Sequence, residues 1–466
     1  MKKLAIIFLC VIMALSLLAC GSTGDNGAAQ TTAAAQTNEF SVGFGRVEST
    51  PSMGISLQGY DKAADRKCTS VLDPLYITCV AIRDDQGNTA ILITSDSIRT
   101  EAKVANSIRR KLEEKYGIPQ ENTFFTSTHS HSTPDSMAVD SVGMAVEAAD
   151  KAIADLKAAK MYIGTGRTDN LNFVRHYIMD DGSIVGDNYG DPTGKTYVKH
   201  ETEADNEIRL IKFTREGQKD IVMMNWQVHP LITGGPTNTE VSADIVGACR
   251  MTMEKELDCY VAYFSGASGN LDPVSRISSE NVVNGYVQHG TALAKAAMKG
   301  LENMTEVESG PVKSVAYVYP GKVLKDSAER LAAGQKFKAV YEAGGTVEEA
   351  MKASGGLIHS IYAVSGMNQH NSLGETKDIN MYALSVGNVA FVGAEYEMFD
   401  TNGQEIRKDS PFEMTFICCY CNGKNGYIPS AIAFENGCYE MDNGYYAPGT
   451  GEELVKEYLR LLNEIK

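Results

Sequence analysis

The sequence predicts an α/β fold in which mixed β-sheets are flanked by helices within a single large domain. Apolar runs of strand length recur along the chain, and segments with helical spacing of apolar residues lie between them. Histidine, glutamate and tyrosine residues follow directly after several of these runs. Strands that alternate with helices are typical of sheets covered by helices, and 466 residues suffice for one large domain.

Residues 1–38 predict export and attachment rather than a folded segment. A short basic start precedes an apolar run at residues 4–18, which is shorter than a membrane-spanning helix and typical of a signal peptide. The sequence LLACG then looks like a lipobox, in which Cys20 is acylated and anchors a bacterial lipoprotein to the outer face of the cell membrane. An ordinary secretory signal with a coincidental cysteine is the alternative. The predicted segments are a signal peptide at 1–19, a flexible tether at 20–38 and a folded domain at 39–466.

The charge of the chain excludes two classes of partner. The formal net charge is −16, so the protein repels nucleic acid and anionic lipid head groups. Membrane attachment therefore has to come from the acylated Cys20 alone. We expect no nucleic-acid partner.

The cysteines are predicted to be free thiols in the core. Apart from Cys10 and Cys20 in the leader, their spacing fits neither a C-x-x-C pair nor a small disulfide scaffold. The run CCYC at residues 418–421 has the composition of a metal site, but it ends an apolar strand pattern. Free buried thiols suit a reducing or anaerobic exterior.

The first two thirds of the chain predict strands and helices in alternation. A strand opens the glycine-containing segment 41–51, and residues 77–84 and 89–94 flank a Gly-Asn turn, as in a β-hairpin. Helical spacing is present at residues 101–116 and in the alanine-rich stretch 137–159. Further strands are expected at 124–125, 160–164, 207–213, 221–226 and 260–264, and further helices at 242–257 and 286–299.

Residues 323–376 have the weakest pattern in the chain and predict a lid or an insertion. Helical spacing is confined there to residues 327–341 and 346–354. Regular patterns return beyond this segment. They predict strands at 381–386, 389–393 and 412–420, a helix that ends near Lys408, and a last helix at 451–465.

The motif on which the functional prediction depends is TSTHSHSTPD at residues 126–135. In an extended segment alternate residues point to the same side, so His129 and His131 face one cleft while Ser130 faces away. Two imidazoles on one side favour a metal site. Such a pair needs further ligands from elsewhere in the chain before it predicts a metal.

Further polar residues come directly after later strands. His229 emerges from an apolar strand, and Glu395 and Glu397 follow another. A loop of small residues at 265–273 allows a backbone to approach its surroundings closely. Since strand ends at one edge of a sheet are the usual location of a site in α/β folds, we expect these residues to meet.

The order of these pieces resembles the neutral/alkaline non-lysosomal ceramidase family, specifically its large amino-terminal catalytic domain. The resemblance covers residues 39–466, and several ordered motifs in one chain are more specific than any single motif. The motifs that carry it are GFGRVESTP, DPLYITCVAI, TSTHSHSTPD, NWQVHP, VSADIVG, FSGASGNLDP, VGAEYEMF and NGYIPS followed by ENGCYE.

The resemblance implies a bound zinc ion. In that family two histidines, a glutamate and a tyrosine hold the metal, and motif matching carries these roles onto His129, His229, Glu397 and Tyr427. Zinc accepts imidazole together with carboxylate while leaving a position for water. As alternatives, Glu397 caps the helix that follows it, Glu395 is the ligand instead, or Tyr427 is an ordinary aromatic residue of a sheet.

The resemblance also implies residues that act on the substrate. His131 matches a second histidine, off the metal but close to the reacting carbonyl, where it takes a proton from water or donates to a developing oxyanion. Arg175 matches a substrate-contacting arginine, with a surface salt bridge as the alternative. Tyr439 matches a second hydrogen-bond donor to the scissile group. Asp244 and Asp272 are expected to fix helix and loop ends.

One departure concerns the substrate. The family members best known for ceramide cleavage carry a serine in the small-residue loop. Alignment places Gly266 at that position, with Ser265 and Ser268 as displaced candidates. The motifs therefore imply the zinc chemistry more closely than they imply ceramide.

We predict an exported, zinc-dependent amidohydrolase of the ceramidase type, which attacks an N-acyl amide with metal-activated water. The expected substrate is a small-molecule or lipid amide, with sphingolipids included. Two alternatives stay open, namely an esterase or lactonase with the same metal site and a lipoprotein that binds a ligand without turnover. Amide and ester substrates separate the first, and metal analysis separates the second.

Overall fold

Residues 39–60, 65–187, 189–190, 192–274 and 285–466 are described by the computed structural model. The unit Asn38–Lys466 is one compact body. The predicted signal peptide, tether and acylated Cys20 lie outside the described residues, so export, anchoring and the domain limits stay predictions. Among the described helices, none has the length and apolar character needed to cross a membrane.

The strands of the described residues fall into two larger sheets, a three-stranded sheet of the order β10-β8-β9, and several short pairs. In chain order they are β1 (Ser41–Glu48), β2 (Ser70–Val71), β3 (Tyr76–Arg83), β4 (Thr89–Ser95), β5 (Thr123–Ser127), β6 (Lys157–Arg167), β7 (Phe173–Val174), β8 (His176–Met179), β9 (Ile184–Gly186), β10 (Tyr197–His200), β11 (Glu207–Arg215), β12 (Ile221–Trp226), β13 (Glu240–Val241), β14 (Tyr260–Ser265), β15 (Leu271–Asp272), β16 (Thr305–Val307), β17 (Val312–Lys322), β18 (Thr376–Val386), β19 (Val389–Ala394), β20 (Glu397–Met398), β21 (Met414–Cys418) and β22 (Tyr427–Ile428).

The structure describes helices that cover the outer faces of the two larger sheets and others that lie apart from those faces. In chain order they are α1 (Ala102–Tyr116), α2 (Ser141–Ala154), α3 (Asp244–Leu257), α4 (Tyr286–Leu301), α5 (Ala328–Glu342), α6 (Val347–Ala353), α7 (Ile361–Ser372), α8 (Asp400–Asp409), α9 (Ala431–Asn436), α10 (Tyr439–Asp442) and α11 (Thr450–Ile465).

The larger sheet has the strand order β14-β12-β11-β6-β1-β3-β4-β5, with β16 also paired to β6. The predicted hairpin is present, because β3 and β4 pair in antiparallel fashion. The outermost pair of strands at each edge of the sheet is parallel, namely β14 with β12 at one edge and β5 with β4 at the other. The smaller sheet has the order β17-β18-β19-β21, and its last pair is parallel. The predicted α/β class with mixed sheets is therefore confirmed.

The two sheets pack face to face between two layers of helices. Apolar side chains of both sheets form a common core, which includes Phe124 and Phe264 of the larger sheet and Phe391 of the smaller one. Helices α1 to α4 cover the outer face of the larger sheet, and α11 covers that of the smaller sheet. Strands β4 and β19 are buried along their whole length, which explains their uninterrupted apolar sequences.

Two glycines of the first strand allow helix α2 to lie directly on the sheet. A Cβ atom at Gly43 would be 2.0 Å from the carbonyl oxygen of Ala152, and one at Gly45 would be 2.0 Å from that of Ala148. These distances are far below van der Waals contact, so a side chain at either position would displace the helix. The glycines of the GFG motif thus allow the sheet to pack closely against the alanine-rich helix.

Residues 323–376, predicted as a lid or an insertion, have a separate apolar core among α5, α6 and α7, and both interpretations stay predictions. Helices α5 and α6 agree with the two predicted helical pieces. Helix α7 was not predicted, because apolar residues do not follow a single face of its sequence. Its buried side chains instead pack on two sides, against the apolar core among α5, α6 and α7 and against helix α10.

Two helix limits differ from the prediction. The stretch predicted as helix up to residue 159 ends at Ala154, and β6 begins at Lys157 because that residue pairs with Val42 of β1. Sheet pairing therefore overrides the helix preference of the alanines. Helix α3 begins at Asp244, and no side chain at its N-cap, Ala243, accepts a hydrogen bond.

Candidate metal centre

The predicted ligands lie at strand ends that meet between the two sheets. His129 follows β5, and His229 follows β12, so both leave the larger sheet. Strands β20 and β22 pair in parallel, and their register places Glu397 directly opposite Tyr427. This two-stranded ladder fixes the carboxylate and the phenol side by side.

A left-handed residue turns the two histidines of the motif toward each other. His129 has φ 68°, whereas we predicted an extended segment in which alternation alone brings His129 and His131 to one side. That geometric reason was wrong, although the two imidazoles do converge, with ring centroids 5.0 Å apart. The backbone N–H groups hold this turn, since His129 donates to the carbonyl of Ser97 and His131 to that of Pro230, both at 3.0 Å.

The side-chain atoms of the site lie within a few ångströms of one another. Glu397 Oε2 is 3.2 Å from His229 Nε2 and 3.5 Å from His129 Nε2. His129 Nε2 is 3.4 Å from His131 Nε2. The phenol oxygen of Tyr427 is 3.4 Å from His229 Nε2.

These distances fit a metal. Ligands that lie about 2.0–2.1 Å from a tetrahedral zinc ion are separated from each other by about 3.3 Å. The nitrogen and oxygen atoms of the cluster show this separation. The ring nitrogens of His129, His131 and His229 also lie within 4.8 Å of one another, so the cluster is competent to hold a metal ion.

Backbone carbonyls fix the tautomers of two of the histidines. His129 Nδ1 donates to the carbonyl of Ile98 at 2.5 Å, and His229 Nδ1 donates to that of Leu271 at 3.1 Å. In each ring the Nε2 lone pair is therefore directed at the cluster. Such outer contacts orient metal-ligating histidines and raise their basicity.

Protonation states also suit a metal. Burial lowers the pKa of His129 to about 4, so the imidazole is neutral at physiological pH. Burial alone would raise the pKa of Glu397, but the neighbouring imidazoles of His129 and His229 outweigh it and lower that pKa to about 2. Neutral imidazole and ionised carboxylate are the forms that bind metal.

His131 differs from the other two histidines in its surroundings. Among the described residues, none accepts or donates a hydrogen bond at its Nδ1 atom, although that atom is buried. Its ring packs edge-on against Tyr60 at 5.2 Å and directly against Gly59, where a Cβ would be 2.7 Å from Nδ1. Since metal-ligating histidines almost always have a partner at the second nitrogen, this contrast supports a role for His131 beside the metal.

Tyr420 belongs to the site but was not predicted. Its ring stacks on the imidazole of His129 at 4.1 Å with an interplanar angle of 11°. Its phenol oxygen is 3.3 Å from Glu397 Oε2. The available signal was its place at the end of a buried strand, in the run CCYC, which we interpreted only as core.

The alternatives for the two glutamates can be decided. Glu395 accepts hydrogen bonds from the backbone N–H of Asn380 and the side-chain amide of Asn425, each at 2.9 Å, so it is held away from the histidines. Glu397 does not cap the helix that follows it, because the N-cap of α8 is Phe399. The structure therefore places Glu397, and not Glu395, with the histidines.

Arg175 is buried rather than part of a surface salt bridge. Its side chain is 4% exposed and bridges Asp272, at 3.2 Å, and Glu440, at 2.6 Å. A third bond reaches the carbonyl of Gly269 at 2.9 Å. The surface alternative was wrong, and the guanidinium ties the small-residue loop to helix α10.

The two tyrosines of the predicted site lie over this arginine. The guanidinium carbon of Arg175 is 5.6 Å from the ring centroid of Tyr427 and 5.8 Å from that of Tyr439. Burial raises the pKa of Tyr439, so its phenol keeps a proton and is a hydrogen-bond donor. In this structure the Arg175 guanidinium packs against both tyrosine rings, and direct contact between Arg175 and a substrate stays a prediction.

The ionic network continues away from the cavity. Glu440 accepts a hydrogen bond from His176 Nε2, and Glu201 accepts one from His176 Nδ1, both at 3.0 Å. Burial lowers the pKa of His176, but the two carboxylates outweigh it and raise that pKa to about 10. The imidazole is therefore a cation between two anions.

Ser265 and the two structural aspartates are bound to other groups. Ser265 Oγ donates to the carbonyl of Thr128 at 2.9 Å, so it is not directed at the metal ligands. Ser268 is buried, and its hydroxyl oxygen has no hydrogen-bond partner among the described residues. Asp244 accepts from the backbone N–H and hydroxyl of Thr233, each at 2.6 Å, as expected for a loop-fixing role.

A cavity of about 360 Å³ opens over the cluster. His129, His131, Glu397 and Tyr427 lie in its wall, together with Tyr439. Helix α7 of the insertion adds two further side chains, Tyr362 and Gln369. The insertion thus completes the wall of the cavity, while its movement as a lid stays a prediction.

All cysteines of the described residues are buried free thiols, as predicted. Burial raises the pKa of Cys418 and raises that of Cys419 to about 12, so both stay protonated. Protonated thiols are poor metal ligands. The run at 418–421 therefore contributes core packing and Tyr420 rather than a second metal site.

Comparison with known proteins gives consistent matches. The sequence model of the family described as neutral/alkaline non-lysosomal ceramidase, N-terminal, matches residues 40–289. The chain is similar to the crystal structure of neutral ceramidase from Pseudomonas aeruginosa, with a TM-score of 0.68 and 15% identity over 91% of this chain and 74% of that chain. It is also similar to a ceramidase complexed with C2, with a TM-score of 0.68 and 15% identity over 91% of this chain and 75% of that chain. At this identity the two structures support the fold.

Proposed function

Because the chain belongs to the neutral/alkaline non-lysosomal ceramidase family, we propose that it is a zinc-dependent hydrolase of N-acyl amide bonds, in ceramide or another acylated compound. The observation that carries this proposal is the convergence of His129, His229, Glu397 and Tyr427 at metal-ligand separations, with His129, Glu397 and Tyr427 in the wall of one cavity and His229 buried behind it. Nitrogen and oxygen ligands with neutral imidazoles and an ionised carboxylate suit zinc.

When bound, a zinc ion supplies a Lewis acid for the carbonyl and lowers the pKa of water toward about 7. The residues of the chain prepare that chemistry. The carbonyls of Ile98 and Leu271 hold the His129 and His229 rings in one tautomer, so neither ring has to reorganise during the reaction.

His131 and Tyr439 act on the substrate in this proposal. Burial, together with the neighbouring imidazoles, lowers the pKa of His131, so its ring is neutral and accepts the proton of the attacking water. Tyr439 keeps its proton and donates a hydrogen bond to the oxygen on which negative charge develops. Arg175 holds the Tyr439 ring in place through the cation–π contact, and its charge favours the developing anion.

The cellular location is part of the proposal. The leader at 1–19 and the lipobox around Cys20 support export and attachment to the outer face of the membrane. The substrate would then be met outside the cell. Labelling with a clickable palmitate analogue tests this point, since Cys20→Ser should abolish the label.

Metal removal and substrate choice test the function. We expect chelator-treated protein to lose hydrolysis of an N-acyl amide and to regain it with one equivalent of Zn²⁺ per chain, whereas Mg²⁺ and Ca²⁺ should not restore it. The rates are measured on an amide and on its matched ester. If only the ester is hydrolysed, the protein is an esterase or lactonase and not an amidase. If the purified protein contains no zinc and binds the compounds without cleaving them, it is a ligand-binding lipoprotein.

A further inference from the structure

The cavity over the metal centre has little of the lining that a long alkyl chain needs. Among the described side chains in its wall, Ile98 is the sole aliphatic one. A methylene of a lipid contributes to binding only if it leaves water for an apolar surface. The wall instead presents phenol rings and amides, among them Tyr60, Tyr362, Tyr445, Gln58 and Gln369. Such a wall suits a short acyl group and a polar remainder.

Two cations lie in the same wall, held by one carboxylate. Lys424 forms an ion pair with Glu101, and Arg99 Nε lies 3.5 Å from the same carboxylate. Arg99 Nε also donates to Asp135 at 2.9 Å. Glu101 thus fixes both cationic side chains on one side of the cavity.

The outer nitrogens of Arg99 are available to a ligand. Both carboxylate contacts of this side chain are made by Nε, and no described residue accepts a hydrogen bond from either terminal nitrogen. The side chain is 37% exposed, and that of Lys424 is 43% exposed. A guanidinium with two unused donors is suited to a carboxylate, which it binds with two parallel hydrogen bonds.

Both cations are close in sequence to residues of the metal centre. Arg99 directly follows Ile98, whose carbonyl orients His129. Lys424 lies in the loop that leads into Tyr427 and lines the same cavity. An anion bound by this pair would therefore lie beside the site of hydrolysis.

The negative charge of the remaining protein leaves this pair of cations as the favoured place for an anion. The chain carries a formal net charge of −16, so an anion is repelled from most of its surface. The nearby Glu395 accepts hydrogen bonds from Asn380 and Asn425, and the Asn425 side chain in turn accepts one from Lys377. Arg99 and Lys424 are the cations that reach the cavity wall among the described residues.

We propose, on the basis of the hydrolase function above, that the preferred substrate is a short-chain N-acyl amino acid. Its carboxylate binds Arg99 and Lys424, and its short acyl group contacts the tyrosine rings. Hydrolysis consumes one water and yields a short fatty acid and a free amino acid. Ceramide, with its two long chains and no anionic group, is a poorer fit to this wall.

Three probes test the proposal on the purified full chain. N-hexanoylglycine carries the carboxylate, N-hexanoylethanolamine is its neutral counterpart, and N-hexadecanoylsphingosine is a long-chain ceramide. We expect kcat/KM for the glycine compound to exceed that for each of the others by at least tenfold. In Arg99→Gln and in Lys424→Gln the ratio of anionic to neutral substrate should fall by about tenfold. Lys338→Gln, which removes an exposed cation of α5, is the matched control and should keep the ratio.

Binding to chelator-treated protein separates this proposal from the function on which it rests. Calorimetry should show tighter binding of N-hexanoylglycine than of N-hexanoylethanolamine, and Arg99→Gln should remove the difference. If no amide is cleaved but this difference persists, the hydrolase is refuted and the anion site stands. Three results would overturn the anion site. They are equal affinity for the two hexanoyl compounds, equal losses of kcat/KM for both compounds in the two variants, and a higher kcat/KM for the ceramide. If Arg99→Gln does not fold, Lys424→Gln decides.

Discussion

His129→Ala should abolish stoichiometric zinc binding and lower kcat/KM on an N-acyl amide by more than about 10³-fold. The reason lies in its central position. Its Nε2 is 3.4 Å from that of His131 and 3.5 Å from the Glu397 carboxylate, so its removal opens the cluster on two sides. Plasma mass spectrometry gives the zinc content, and circular dichroism shows whether the variant is folded.

His131→Ala is the matched comparison, because it removes an imidazole from the same turn. We expect this variant to keep one zinc per chain and to lose activity by about 10²–10⁴-fold, as fits a proton-transfer group. Loss of zinc in His131→Ala would make it the third histidine ligand and would replace the proposed ligand set. Full turnover with bound zinc in folded His129→Ala would refute the metal centre.

Arg175→Met should lower the free energy of unfolding by about 3–5 kcal/mol, because it removes the cation from a buried group of carboxylates. Asp272 loses its ion-pair partner, Glu440 keeps only the His176 imidazole that it shares with Glu201, and the side chains of Asp272 and Glu440 are 4% and 1% exposed. Activity should fall as well, since Tyr439 loses its support. Urea unfolding followed by circular dichroism measures the change in stability.

Arg460→Met is the control for this prediction. Arg460 pairs with Glu457 and Glu464 on the surface of α11, with a side chain that is 47% exposed, so its loss should cost less than about 1 kcal/mol. Adding Glu440→Gln to Arg175→Met should recover part of the lost stability, because it removes one surplus buried negative charge and leaves the His176 imidazole paired with Glu201. A loss below 1 kcal/mol in Arg175→Met would show that the buried network is not needed for the fold.

Strand ends made much of the site predictable from the sequence. His229 follows the largely apolar strand β12, and His129 follows β5, whose apolar pair is Phe124 and Phe125; both strands are buried along their whole length. Glu397 and Tyr427 required the resemblance to a family, because each belongs to a strand of two residues that no periodicity reveals. The register of that pair is set by tertiary contacts alone.

Other parts of the site have no local signal. The carbonyls of Ile98 and Leu271 orient the imidazoles, but any residue type supplies a carbonyl. The left-handed turn at His129 is fixed by backbone bonds to distant segments, so the extended geometry that we predicted was wrong. Tyr420 stacks on His129 although the two residues are distant in the sequence and follow strands of different sheets, and single-sequence patterns do not report such contacts.

The measurement that tests the metal centre most directly is an anomalous difference map, recorded at the zinc absorption edge from crystals of the purified protein. The account predicts one strong peak about 2.0–2.2 Å from His129 Nε2, His229 Nε2 and a carboxylate oxygen of Glu397. The peak should vanish below the edge. A peak located elsewhere in the chain, or these side chains ordered in the map around no metal at all, would contradict it.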